Sequence, residues 1–167
     1  MARQASQARE GGKEGGAITV VANNRKARHL YHILDTIEAG LVLIGTEVKS
    51  LRDGKANMGD AYAVIEGGEG WLVNLHISPY EKGNRFNHEP LRKRKLLLHR
   101  KDIRRLVGKT KEKGLTLVPL RLYFRDGWAK VELALAKGKK SHDKREDIAK
   151  RDAERDMARA MSRKGRS

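Results

Sequence analysis

Along this 167-residue chain apolar residues recur mostly at every second position, which predicts strands. The clearest case is a hairpin from Leu115 to Ala136. Its centre, Asp126-Gly127, suits a two-residue type I′ turn because both residues tolerate positive φ. With that pair as the loop, Arg125 faces Trp128, Phe124 faces Ala129, Leu122 faces Val131 and Leu120 faces Leu133. The three apolar pairs then share one side, while Tyr123 opposite Lys130 and Arg121 opposite Glu132 share the other. A second hairpin is expected from Ala61 to Ile77 around Glu66-Gly67-Gly68-Glu69-Gly70. The stretch from His29 to Gly45 reads as one or two strands broken at Gly40.

Two short helices punctuate these strands. One covers Thr46 to Arg52, with Val48 and Leu51 on one face. The other follows Leu98, capped at or near His99, with Asp102 at its positive end and Ile103, Leu106 and Val107 as a buried stripe; Gly114 stops it. Glu81 to Glu89, with Pro90, makes a surface loop. Five or six antiparallel strands in the segment 17–136 predict a mainly β body with short helices, a small OB-like barrel, with a sandwich as the alternative.

The ends differ from this body. Residues 1–16 are polar and glycine-rich, lack the apolar core of a signal peptide and are expected to be disordered. Residues 137–167 are rich in Ala, Glu, Arg and Lys, with helpful Glu146–Lys150 and Asp147–Arg151 spacings. Their apolar set, Ile148, Met157, Met161 and a few alanines, is too sparse to hold the segment on the body. The expectation is a tail that is unstructured until a polyanion binds it, and then helical.

Charge decides the class of partner. The net charge is +16 and the pI about 10.3. The body carries 22 basic and 13 acidic side chains, a net of +9, and the 31-residue tail carries 12 and 6, a net of +6. Both halves therefore attract phosphate, and the tail carries about two and a half times the net positive charge per residue. An anionic membrane is the competing polyanion, but the tail lacks bulky Leu, Phe or Trp to insert, and no apolar run is long enough to span a bilayer.

Catalytic chemistry finds no foothold. There are no cysteines, which suits a cytoplasmic location and removes zinc fingers and disulfides together. The six histidines do not stand at ligand spacing; His29 and His32 are expected on opposite faces of one strand. No Walker A loop, GxSxG or GxGxxG occurs. No metal, no cofactor and no enzyme activity are expected.

Two basic clusters, Asn24-Arg25-Lys26-Ala27-Arg28 and Arg92-Lys93-Arg94-Lys95, flank apolar strands and read as RNA contacts ahead of a merely solvated face. Trp128, beside Lys130, is either a stacking platform or a cover for the barrel rim. Glu38 cannot bind phosphate; it either accepts from a base amino group or pairs with a nearby arginine, the second being favoured.

Several stretches resemble a known family. NNRKARH (23–29), EAGLVLIGTEVKSLRDGKAN (38–57), RKLLLH (94–99), GLTLVPLRLYF (114–124) and LAKGKKSHDKRE (135–146) closely resemble the SmpB family, the bacterial partners of transfer-messenger RNA (tmRNA). They span nearly all of residues 17–150. The resemblance implies an OB-like barrel that holds the tRNA-like domain of tmRNA and delivers it to stalled ribosomes for trans-translation. It implies a monomer whose tail enters the decoding centre and the empty mRNA channel. Asn24, Glu38, Leu97 and Lys130 match positions implicated in tmRNA binding, and Leu97 is then an exposed contact. Gly138, Lys139, Lys140, His142, Asp143, Lys144 and Arg145 match the tail segment that meets ribosomal RNA. Near the end, Met161 matches one of two bulky anchors, and Ala160 departs from the other.

Overall fold

The computed structural model describes residues 16–112 and 114–165. The expected N-terminal disorder, in 1–16, falls almost wholly outside them.

The chain runs β1 (Ile18–Asn23), α1 (Arg25–Leu30), β2 (Tyr31–Leu41), α2 (Gly45–Arg52), β3 (Ala56–Asn57), β4 (Tyr62–Glu66), β5 (Glu69–Val73), β6 (His76–Ile77), β7 (Arg94–Leu97), α3 (Arg100–Thr110), β8 (Leu115–Arg125), β9 (Trp128–Gly138) and α4 (Ser141–Lys164). Six antiparallel strands close a ring in the order β8, β4, β5, β7, β2, β9 and back to β8, and β1 pairs with the Arg121–Arg125 end of β8, beyond the point where β4 meets it. Closure is thinnest between β4 and β8, joined at the pair Ala63–Leu117. Inside the ring Leu72, Leu96, Leu117, Leu122, Val131 and Leu133 form the core with Leu51 of α2 and Leu106 of α3. This is the OB-like barrel expected, with the last strand running two residues further, to Gly138.

The β8–β9 hairpin turns at Asp126 (φ 50°) and Gly127 (φ 79°), and its register holds from Arg125–Trp128 to Arg121–Glu132. Beyond that it slips. Leu120 is bulged, and Pro119, not Leu120, faces Leu133. Proline lacks the N–H that a ladder needs, so a bulge beside it costs little. The slip moves Leu120 to the other side of the sheet. There it packs with Val118, Ala134 and Ala136 beneath Ala27 of α1, which corrects the expected placing of Leu120 with Phe124. Asn24 locks this arrangement. Its backbone N–H donates to Leu120 O at 2.7 Å and its Nδ2 to Pro119 O at 2.9 Å, while Oδ1 caps α1 by accepting from Ala27 N–H at 3.2 Å.

Other local expectations are revised. The stretch 25–30 is a helix, so His29 sits on α1 and His32 on β2, and not on one strand. Strand β2 runs unbroken through Gly40, where a Cβ would lie 3.1 Å from Leu97 Cβ; glycine is there for close approach across the ladder, not as a break. The second hairpin turns on Gly67-Gly68 and ends at Val73; Asn74 (φ 59°) then redirects the chain so that β6 pairs with β3.

Candidate nucleic-acid interface

Paired residues in antiparallel ladders point to the same face, and so do residues two apart. One row across the barrel is therefore Leu97 (β7), Gly40 (β2), Lys130 (β9) and Tyr123 (β8). The next row is Glu38, Glu132 and Arg121, and on the other side Trp128 pairs with Arg125. The register thus gathers Glu38, Leu97, Trp128 and Lys130, separated by up to 92 positions in sequence, on one outward face. Trp128 is 73% exposed and Leu97 56%, so neither serves the core.

Glu38 is held by its own neighbours. Tyr123 reaches over β9 and donates its hydroxyl to Glu38 Oε2, which also pairs with Arg125 Nη1 at 2.8 Å. Tyr123 is buried because the guanidiniums of Arg121 and Arg125 lie over its ring, 4.8 and 5.6 Å from the centroid. Burial, and then the hydrogen bond to Glu38, push the phenol's pKa up, so it stays a donor. Arg121 pairs with Glu132 at 2.6 Å. Lys130 takes part in no ion pair among the described residues and is the cation this face offers. The arginine pairing expected for Glu38 is present. The hairpin alternation sets Arg121 and Tyr123 on this side, yet neither they nor Arg125 is among the sequence-predicted contacts; their signal is the polar phase of β8, alternating with Leu122 and Phe124.

Helix α1 is the second element. Asn24, the cap, spends its amide within the protein, so its part is to fix the helix. Arg25, Lys26 and Arg28 project outward from it, and only Ala27 is buried. A cleft of about 380 Å³, lined by Asn23, Asn24, Arg25, Arg28, Leu120, Arg121 and Glu132, joins α1 to the barrel face. The signal for α1 was an Asn N-cap followed by Arg-Lys-Ala-Arg, all good helix formers.

The second basic cluster behaves differently. Arg94 is wholly buried and donates to Glu47, to Leu75 O at 2.5 Å and to Pro90 O at 3.1 Å. Arg92 Nη2 binds Glu47 Oε1 at 2.5 Å, while Lys93 and Lys95 pair with Glu66 and Glu69. Arg94 is thus removed from any RNA surface. A single charge run has been split between core and rim because β7 alternates.

The tail leaves the barrel at Gly138. Asp143 accepts from His32 Nε2 at 3.3 Å and lies 2.9 Å from His142 Nε2, while His142 itself stays largely exposed. His32 and the Lys140 N–H hold the Asp143 carboxyl below its ordinary value. Lys140 and Arg145 are exposed and Lys144 is half-buried. From Ser141 to Lys164 the tail is one helix with no buried residue; Met161 is 73% exposed, and Ala160 beside it is exposed too. Among the described residues no His, Asp or Glu cluster could hold a metal ion, and no helix is long and apolar enough to cross a membrane.

The sequence profile of the SmpB protein family matches residues 21–163, the barrel and nearly the whole tail. The chain belongs to the SmpB family. An SsrA-binding protein of Desulforudis audaxviator is 71% identical over 140 residues, covering 84% of this chain and 92% of that protein. One from Syntrophomonas wolfei is 62% identical over 156 residues, covering 93% and 99%. Among solved structures, one described as "tmRNA-SmpB: a journey to the center of the bacterial ribosome" holds a chain that is 59% identical. It superposes with a TM-score of 0.62, over 72% of this chain and 85% of that one. The SmpB match runs from within β1 through β9 and includes every residue of the face.

Proposed function

We propose that this chain binds tmRNA and delivers it to stalled ribosomes for trans-translation, the barrel holding the tRNA-like domain and the tail occupying the decoding centre and empty mRNA channel. The observation that carries this reading is the SmpB match across both body and tail, in a chain whose relatives are SsrA-binding proteins. The chain's part is to bind and position: it acts as a cytoplasmic monomer, performs no chemistry and needs no cofactor.

The geometry supports a division of labour on the barrel. Arg25, Lys26, Arg28 and Lys130 supply cations for phosphodiester oxygens, which gives affinity that falls with salt. Trp128 and Leu97 offer exposed flat and apolar surface to unstacked bases. Glu38, anchored by Tyr123 and Arg125, has a free lone pair for a base amino group and discriminates against phosphate at that point. On the tail, His142 presents a flat ring for stacking, flanked by Lys140, Lys144 and Arg145.

Deletion of 138–167 tests this reading. tmRNA binding is expected to stay within a few fold of the full chain while tagging on stalled ribosomes is abolished. Collapse of tmRNA binding in the truncated chain would show that body and tail do not divide the work.

A further inference from the structure

We infer that Lys139 is a positioning residue that aims the tail helix from the RNA-holding body, and not itself a ribosome contact. The inference rests on the reading that the tail acts inside the ribosome, and it revises the part that resemblance gives this lysine.

Lys139 stands between β9 and α4, where a lysine would ordinarily extend into water, yet its side chain is only 7% exposed. Its ammonium donates to Arg28 O at 2.9 Å and pairs with Asp147 Oδ2. Its backbone N–H donates to Leu30 O at 2.9 Å. Arg28 and Leu30 belong to the last turn of α1, whose carbonyls have no partner within the helix. One side chain therefore ties the end of α1 to the second turn of α4. His32 on β2 holds Asp143, one turn earlier on the same side of α4, at 3.3 Å.

Two points a turn apart define the direction of a rigid rod. Asp143 and Asp147 are those points, and no residue of α4 is buried elsewhere along its length. Residues 148–164 then extend about 25 Å beyond the second point at 1.5 Å per residue, so a small rotation at the root sweeps the tip widely. The element that supplies the anchor also carries Arg25, Lys26 and Arg28. RNA seated on α1 and the bearing of the tail thus share one piece of structure, with Lys139 as the joint. Lys140, exposed beside it, remains free to meet RNA.

The absence of cysteines makes the test direct: spin labels on Asp53→Cys and Ser162→Cys report the distance from body to tail tip in the free protein. Lys139→Met is expected to broaden that distribution, and Lys139→Arg to keep it narrow. In tagging on stalled ribosomes Lys139→Met is expected to lose about tenfold or more, as for a lost charged hydrogen bond, with tmRNA affinity within about twofold. Asp147→Asn, on a helix with no buried residue and so with little risk to folding, is expected to reproduce both effects, and the double variant to be no worse than either single one. An unchanged distance distribution in Lys139→Met would overturn the inference. So would normal tagging by Asp147→Asn beside failed tagging by Lys139→Met, which would make the lysine a direct ribosome contact. Should the unaltered chain neither bind tmRNA nor support tagging, the proposed function fails, and the distance measurement still decides the role of Lys139.

Discussion

Glu47→Ala tests the junction between α2 and β7, the strand that carries Leu97. Glu47 and Arg94 are both wholly buried, and Glu47 also accepts from Arg92 at 2.5 Å and from the Ile44 N–H at 3.0 Å. Removing the carboxylate leaves the Arg94 charge in the core with only the Leu75 and Pro90 carbonyls, and breaks the tie from Arg92. Stranding one partner of a buried ion pair costs about 3–5 kcal/mol. That is a large share of a total stability of about 5–15 kcal/mol. At about 2–4 °C per kcal/mol the melting temperature should fall by roughly 6–20 °C. The double variant Glu47→Leu with Arg94→Met should recover part of this, since no charge is then stranded, though two carbonyls lose their donor at about 1–3 kcal/mol each. Urea denaturation followed by circular dichroism measures both, with the slope expected to stay constant. Burial pushes the Glu47 carboxyl up, but hydrogen bonds from Arg92, Ile44 and Arg94 outweigh it and hold the pKa below its ordinary 4.5. The stabilisation is therefore complete above the ordinary carboxylate range and is lost as pH falls through the lowered value. Glu47→Ala should flatten the stability profile in that acidic window. A loss below about 1 kcal/mol, the range of an exposed salt bridge, would refute the assignment of Glu47–Arg94 as a buried pair.

The remaining predictions concern the interface. Glu38→Ala removes the acceptor of Tyr123 and releases Arg125, so binding to tmRNA should weaken about tenfold against an unrelated RNA of equal length, the scale of one charged hydrogen bond; filter binding with competitor measures this, and equal strengthening for both RNAs would mean that Glu38 acts only as a negative charge. Trp128→Ala should lower tmRNA affinity by the about 1–3 kcal/mol of one stacked base, with stability within about 0.5 kcal/mol because the ring is mostly exposed; unchanged affinity would leave the indole as a cover for the rim. The root contacts should loosen on acidification, since the Lys139 ammonium at Asp147 and the His32 ring at Asp143 hold both carboxyls below their ordinary 3.8, so those contacts are complete above that value and lost as pH falls through the lowered ones; broadening of the body-to-tail distance in that window is the measure.

What the sequence determines here is mostly local. The Asp126-Gly127 turn, the alternation that follows it, α2, α3 and the polar tail are all legible because backbone preference and side-chain period act between near neighbours. The excess of cations is legible too, as is the preference for a polyanion, because charge needs no geometry to be counted. Tertiary structure decided which groups are spent inside the protein and which are left for a partner. Leu120 changed sides because Asn24, 96 positions earlier, holds the carbonyls of a bulge beside Pro119. Arg94 left the surface because Glu47 is buried opposite it, and Lys139 was folded into the body by Arg28 and Asp147. An ionic group is buried only when a partner of opposite charge or a set of acceptors arrives with it. Those partners come from distant parts of the chain, so the division between structural and RNA-facing cations exists only once the barrel has closed.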